Sequence, residues 1–61
     1  MHKFEIIEEI SIDLGISTAE VITLIINNPW IKTHPSDEDN FYNVIQVKEA
    51  LDRQNQKEGI K

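Results

Sequence analysis

The segment Leu14-Gly15-Ile16-Ser17 constrains the fold more than any other part of the chain, because it ends one helix and begins the next. Gly15 takes the position of a helix-ending residue with left-handed backbone geometry, which glycine adopts without steric cost. Ser17 and Glu20 have the spacing of a capping box, in which the hydroxyl and the carboxylate each satisfy a backbone N–H group that the first helical turn leaves unpaired. The pattern predicts two helices joined by a tight turn.

The spacing of apolar residues gives the extent of these two helices. The second is predicted over residues 18–27, because Pro29 pushes the residue before it out of the helical region. The first is predicted over residues 4–14, where apolar side chains recur at helical spacing with acidic residues between them, at Phe4, Ile7, Ile10 and Leu14.

The second half of the chain predicts a hairpin and a third helix. Two β-prone segments, 30–33 and 41–44, flank a polar turn at 35–40. From about Gln46, apolar residues recur at helical spacing, with Asn43 or Gln46 available near the helix start. Glu49 and Arg53 can pair on its exposed side.

We therefore expect a mostly α domain with a small β-hairpin at residues 1–53, and a polar C-terminal tail at 54–61 that frays. A chain of 61 residues without cysteine has no disulfide and buries only about 60% of its unfolded surface. Its stability is expected to come from helix packing or from a partner.

The order of these elements resembles the winged helix-turn-helix domains of the mercury-resistance regulator (MerR) superfamily, which includes phage excisionases and small excisionase-like DNA-binding domains. Glu9-Ile10-Ser11, the Leu14-Gly15-Ile16-Ser17 turn, Val21 and the Leu24-Ile25 pair carry the resemblance, which covers about residues 4–53. It implies a helix–turn–helix–wing–helix fold, with the second helix in the major groove of DNA and the hairpin wing on the phosphate backbone.

The charges disagree with that DNA-binding role. Eleven acidic residues against six basic ones give a net charge of −5, and the wing tip is Asp37-Glu38-Asp39. Proteins that bind DNA neutralise phosphates with lysine and arginine. At positions where the family often carries arginine, however, this chain has Thr18, Ala19, Thr23 and Ile26. We expect the family's fold without most of its DNA contacts.

Two isoleucines of the second helix, Ile22 and Ile26, suggest protein binding instead. Val21, Leu24 and Ile25 supply the core face, so Ile22 and Ile26 lie together on the opposite side. Either another protein or a second copy covers them, or the hairpin or the C-terminal helix does so within one chain. Trp30 either packs the wing onto the helices or anchors a partner. The candidate partner-binding residues are Ala19, Ile22, Thr23, Ile26 and Trp30.

The sequence gives little support for catalysis or metal binding. His34, Ser36 and Asp37 lie in one loop, which lacks the fixed base and the oxyanion hole that a nucleophile needs. Counted from Asp37 as a calcium loop, the sixth position is Tyr42 rather than glycine. Two histidines and no cysteine do not supply the four ligands of a structural zinc site. We expect no enzyme activity, no cofactor and no metal.

We therefore expect a non-enzymatic regulator or inhibitor that acts in the cytoplasm through a protein partner or as a homodimer, and the resemblance implies a phage or mobile-element type. No apolar stretch approaches the roughly 20 residues of a membrane span. A DNA mimic and a subunit completed by its neighbours in an assembly are further alternatives. The main alternative is a DNA-binding regulator or excisionase, working as a dimer or filament, that contacts DNA through Thr18, Thr23, Asn27 and Lys32.

Overall fold

A computed structural model describes residues 3–59 as a small α/β domain with three helices and a three-stranded antiparallel sheet. The sheet has the strand order β1-β3-β2, so that β3 lies in the middle. In chain order the elements are β1 (Phe4–Glu5), α1 (Ile7–Leu14), α2 (Thr18–Asn27), β2 (Thr33–His34), β3 (Phe41–Asn43) and α3 (Val44–Gly59).

The turn between α1 and α2 has the predicted construction. Gly15 has φ 70° and ψ 32°, and its N–H donates to the carbonyl of Ile12 at 3.3 Å. The Ser17 hydroxyl accepts the N–H of Glu20 at 3.1 Å, and the Glu20 carboxylate accepts the N–H of Ser17 at 3.3 Å. The glycine helix end and the capping box are both confirmed, as is the end of α2 before Pro29.

The prediction of helix from residue 4 is wrong, because Phe4 and Glu5 form a strand. Phe4 lies opposite Asn43 and Glu5 opposite Tyr42. The backbone of Ile6 is still extended, and α1 begins only at Ile7. Phe4 has the helical spacing of a core residue, yet its ring packs against the His34 ring at a tilt of 54°, with 4.1 Å between the ring centroids. Pairing with a distant strand therefore overrides the local periodicity.

The hairpin and the third helix are confirmed, with small shifts at their ends. The Asn43 side-chain oxygen accepts the N–H of Gln46 at 3.1 Å, and the Arg53 guanidinium lies 2.6 Å from the Glu49 carboxylate. Helix α3 begins at Val44 and continues to Gly59, through most of the segment expected to fray. Glutamine, lysine and glutamate favour helix, and no proline interrupts this stretch. Residues 60 and 61 of the expected tail lie outside the described residues.

The core lies where the three helices meet. Ile10 of α1, Val21 of α2 and Val47 of α3 are completely buried. Tyr42 packs against this cluster from the sheet. The other buried apolar residues are Leu24, Ile31, Val44 and Ala50.

Glu5 is a partly buried carboxylate within this fold. One of its oxygens lies 3.1 Å from the Lys3 ammonium, while Oε1 is buried without a hydrogen-bond partner. The side chain of Asp13 is the largest cause that raises the pKa of Glu5 above its ordinary value of 4.5; burial adds to this change and Lys3 opposes it. The carboxyl group of Glu5 therefore holds its proton more tightly in the folded state than in the unfolded state.

Replacing Gly15 by alanine is expected to reduce the free energy of unfolding by about 1–2 kcal/mol, because a Cβ atom is strained at positive φ. An added Cβ would meet no atom within 4 Å, so the cost comes from the backbone alone. Asparagine tolerates this geometry better, and Gly15→Asn should therefore lose less. Urea unfolding followed by circular dichroism measures both variants, and equal losses would contradict this explanation.

Glu5→Gln is expected to raise the thermal midpoint at pH 7, because the charged carboxylate is the disfavoured form in the folded state. A group whose pKa is raised by folding makes its full contribution to stability at pH values below its unfolded pKa. That contribution is lost as the pH rises through its folded pKa. The advantage of the Glu5→Gln variant should therefore shrink as the pH falls towards 4.5. Thermal melts between pH 7 and pH 4.5 test this expectation, with Glu8→Gln as the control variant. That control should be slightly destabilising, because it removes a negative charge from the first turn of α1.

Candidate interaction surface

Helix α2 presents an apolar surface to solvent on the side away from the core. Val21 and Leu24 are buried, whereas Ile22 is 43% exposed and Ile26 is 71% exposed. Together with Ala19 and Thr23, these two isoleucines form a surface that we call the α2 face. Within the part of the chain that the structure describes, neither the hairpin nor α3 buries these two isoleucines, although Ala19 and Thr23 border Leu51 and Gln54 of α3.

The α2 face borders a concave region that we call the acidic groove, between the start of α1, the side of α2 and the hairpin loop. Its volume is about 450 Å³. Its apolar lining comes from Ile6, Ile7, Ile22 and Tyr42, and its acidic lining comes from Glu8, Glu38 and Asp39. Thr18 and Asn40 complete it, so no basic residue among those described lines the groove. Ile22 belongs to both the groove and the α2 face.

The hairpin loop is held in place by its own polar groups. The Ser36 hydroxyl donates to the carbonyl of Asp39 and accepts the N–H of the same residue at 3.2 Å. This turn brings Glu38 and Asp39 to the groove, opposite Glu8 of α1. The acidic wing tip is apparent in the sequence, but its position beside Ile6, Ile7 and Tyr42 depends on the tertiary fold.

Trp30 belongs to a different part of the surface. It is 40% exposed, and the Arg53 guanidinium lies over its ring at 5.2 Å from the centroid. The same guanidinium is paired with Glu49. Trp30 is therefore in contact with α3, and it does not line the acidic groove.

The four candidate DNA contacts are exposed but supply little positive charge. Thr18, Thr23 and Asn27 lie on α2, and Lys32 precedes β2. The Thr23 hydroxyl donates to the carbonyl of Ala19 at 3.0 Å, within its own helix. Lys32 is the only cation of the four, and the exposed side of α2 also carries Glu20.

The histidine and serine of the hairpin are engaged separately. The His34 ring packs against the Phe4 ring at a tilt, while Ser36 bonds to the backbone of Asp39. Among the side chains of residues 3–56, no group of three or more histidine, aspartate or glutamate residues is arranged to hold a metal ion. Within residues 3–59, no helix combines the length and the apolar character that crossing a bilayer requires.

Comparison of the chain with protein-family models, curated proteins and solved structures gave no significant match. The resemblance to the MerR superfamily therefore stays a prediction based on the turn residues and the order of the elements.

Replacing Arg53 by alanine is expected to cost about 0.5–1 kcal/mol, the usual contribution of an exposed cation–π contact. Because Trp30 is the single tryptophan, the tryptophan emission reports on the surroundings of this one ring. We expect the emission of folded Arg53→Ala to shift to longer wavelength as the ring becomes more hydrated. Lys48→Ala, which removes an exposed cation elsewhere on α3, should leave the emission unchanged. Identical spectra for both variants and the parent chain would show that the contact does not form in solution.

Proposed function

We propose that this domain is a non-enzymatic interaction module with a winged helix-turn-helix fold. In this proposal α1 and α2 form the helix-turn-helix, β2 and β3 form the wing, and the α2 face binds another protein. The observation that carries the proposal is the exposure of Ile22 and Ile26, side by side on a helix whose other side supplies the core.

The energetics favour covering these side chains. Full burial of an isoleucine side chain contributes about 1.5–3 kcal/mol. A single exposed isoleucine is ordinary on a protein surface. Two of them one helical turn apart, with Ala19 beside them, form a continuous apolar strip of the kind that helices use in protein interfaces. Binding of the α2 face to a protein would remove this strip from water.

DNA binding is the alternative, and the charges place it second. Helix α2 carries Glu20 and no lysine or arginine, and the loop of the proposed wing carries Asp37, Glu38 and Asp39. Phosphates would meet like charges at both elements, while neutralisation by basic side chains supplies most non-specific affinity for DNA. A dimer or filament would have to compensate for the missing cations. A regulatory or inhibitory role in a phage or mobile element rests on the family resemblance alone.

The double variant Ile22→Glu with Ile26→Glu is expected to abolish partner binding or self-association while leaving the helical signal unchanged. Ile12 is 78% exposed on α1 and belongs neither to the α2 face nor to the lining of the acidic groove, so Ile12→Glu is the matched control and should behave like the parent chain. Molecular mass in solution, measured by light scattering on the purified chain, separates monomer from homodimer for each variant. A pull-down from host lysate detects a mixed complex.

Three results would overturn the proposal. If the double variant unfolds, Ile22 and Ile26 stabilise the fold and the α2 face is not a binding surface. If it associates like the parent chain, another surface is responsible. Binding of the parent chain to duplex DNA at moderate salt, with a steep loss as salt rises, would establish the alternative.

A further inference from the structure

We propose that the acidic groove binds a basic amphipathic helix of the partner protein, with an apolar side chain against Ile22 and lysine or arginine side chains at Glu8, Glu38 and Asp39. This inference rests on the proposed function and deepens it, because it names the chemistry of the partner. It depends on the composition of the groove, on the continuation of the apolar surface along α2 to Ile26 and on the charge of the whole chain.

The groove is an open concavity in which apolar side chains lie beside carboxylates of one charge sign. Ile6, Ile7 and Tyr42 are half-buried, and Ile22 is accessible from solvent. The volume of the groove is about 450 Å³. The groove can therefore take up an apolar side chain while these carboxylates, which we call its rim, remain charged.

The three rim carboxylates come from two elements and have no cationic partner among the side chains that the structure describes. The ion pairs found there join Lys3 to Glu5 and Asp13, and Arg53 to Glu49. Complementary charge at the edge of an apolar contact speeds association and rejects partners of the wrong sign. The rim therefore selects a cationic partner.

The apolar surface extends beyond the groove. Ile26 follows Ile22 by four residues, which is about 6 Å along the helix axis. A free cation or a small molecule would leave this extension uncovered. An amphipathic helix covers both isoleucines with side chains one turn apart, which is the usual way in which a helix fills an apolar groove.

Two other macromolecules fit this surface less well. A nucleic acid would bring phosphates to a carboxylate rim. A second copy of the chain would bring another net charge of −5, and like charges facing each other across an interface weaken it. A basic amphipathic segment of a different protein can contact the apolar side chains of the groove and also pair with its carboxylates.

The test uses the full chain and a synthetic amphipathic helical peptide with leucines on one face and lysines on the other. Binding is followed by fluorescence anisotropy of the labelled peptide at low salt. We expect binding of this peptide, and none of a counterpart with glutamate in place of lysine or of one with serine in place of leucine. The inference would be overturned if the leucine–lysine peptide failed to bind, or if either counterpart bound as tightly as it does.

Matched variants separate the groove from net charge. Glu8→Gln with Asp39→Asn removes two rim carboxylates, whereas Glu9→Gln with Asp37→Asn removes two charges from the same two elements without touching the groove lining. The Glu8→Gln, Asp39→Asn variant should weaken binding about tenfold, because it removes two carboxylates that would face the cationic peptide. The Glu9→Gln, Asp37→Asn variant should weaken binding less than about twofold. Equal weakening would mean attraction by net charge only.

The outcomes also distinguish this inference from the proposed function. If Ile22→Glu with Ile26→Glu abolishes association with the natural partner but the rim variant does not, the α2 face binds protein and the groove inference is wrong. If the rim variant instead changes self-association or duplex binding, the occupant is a second copy or DNA. If neither variant has any effect on association, both proposals fail.

Discussion

The two-helix turn centred on Gly15 is the constraint on which the rest of this molecule depends. The left-handed backbone at Gly15 ends α1, and the Ser17–Glu20 capping box begins α2 two residues later. Because the connection is so short, it fixes both the direction and the rotation of α2. That rotation directs Val21 into the core and leaves Ile22 exposed. The same few hydrogen bonds thus determine which side of α2 stabilises the domain and which side can meet a partner.

In the proposed function, helix α2 serves two purposes, because Val21 and Leu24 supply the core while Ile22 and Ile26 stay exposed for a partner. A domain of this size buries only about 60% of the surface that its unfolded chain exposes, so some apolar side chains remain on the surface. The acidic groove borders these isoleucines, so apolar contact and negative charge lie side by side. A partner of the proposed kind would have to satisfy both, which would make recognition more selective than an apolar patch alone.

Features that depend on neighbouring residues could be predicted from the sequence, and features that depend on distant ones could not. The Gly15 helix end and the capping box need only bonds within a few residues, and both are confirmed. Periodicity misses the strand at Phe4–Glu5 because this strand pairs with β3, far along the chain, while Phe4 also fits helical spacing. The exposure of Ile22 follows from helix periodicity, but the acidic groove combines three separate segments that no local pattern connects.

The strand order β1-β3-β2 divides the domain into two parts with different folding requirements. The α1–α2 unit needs only contacts between neighbours in sequence, so its closure costs little chain entropy. The sheet must bring residues 4–5 to residues 42–43 and closes only when most of the chain is ordered. Local opening at β1 would therefore separate this strand from β3 while the turn at Gly15 persists. Helices α1 and α2 line one side of the groove and the hairpin loop lines the other, so we expect the loop side to open at a lower free energy than the helical side.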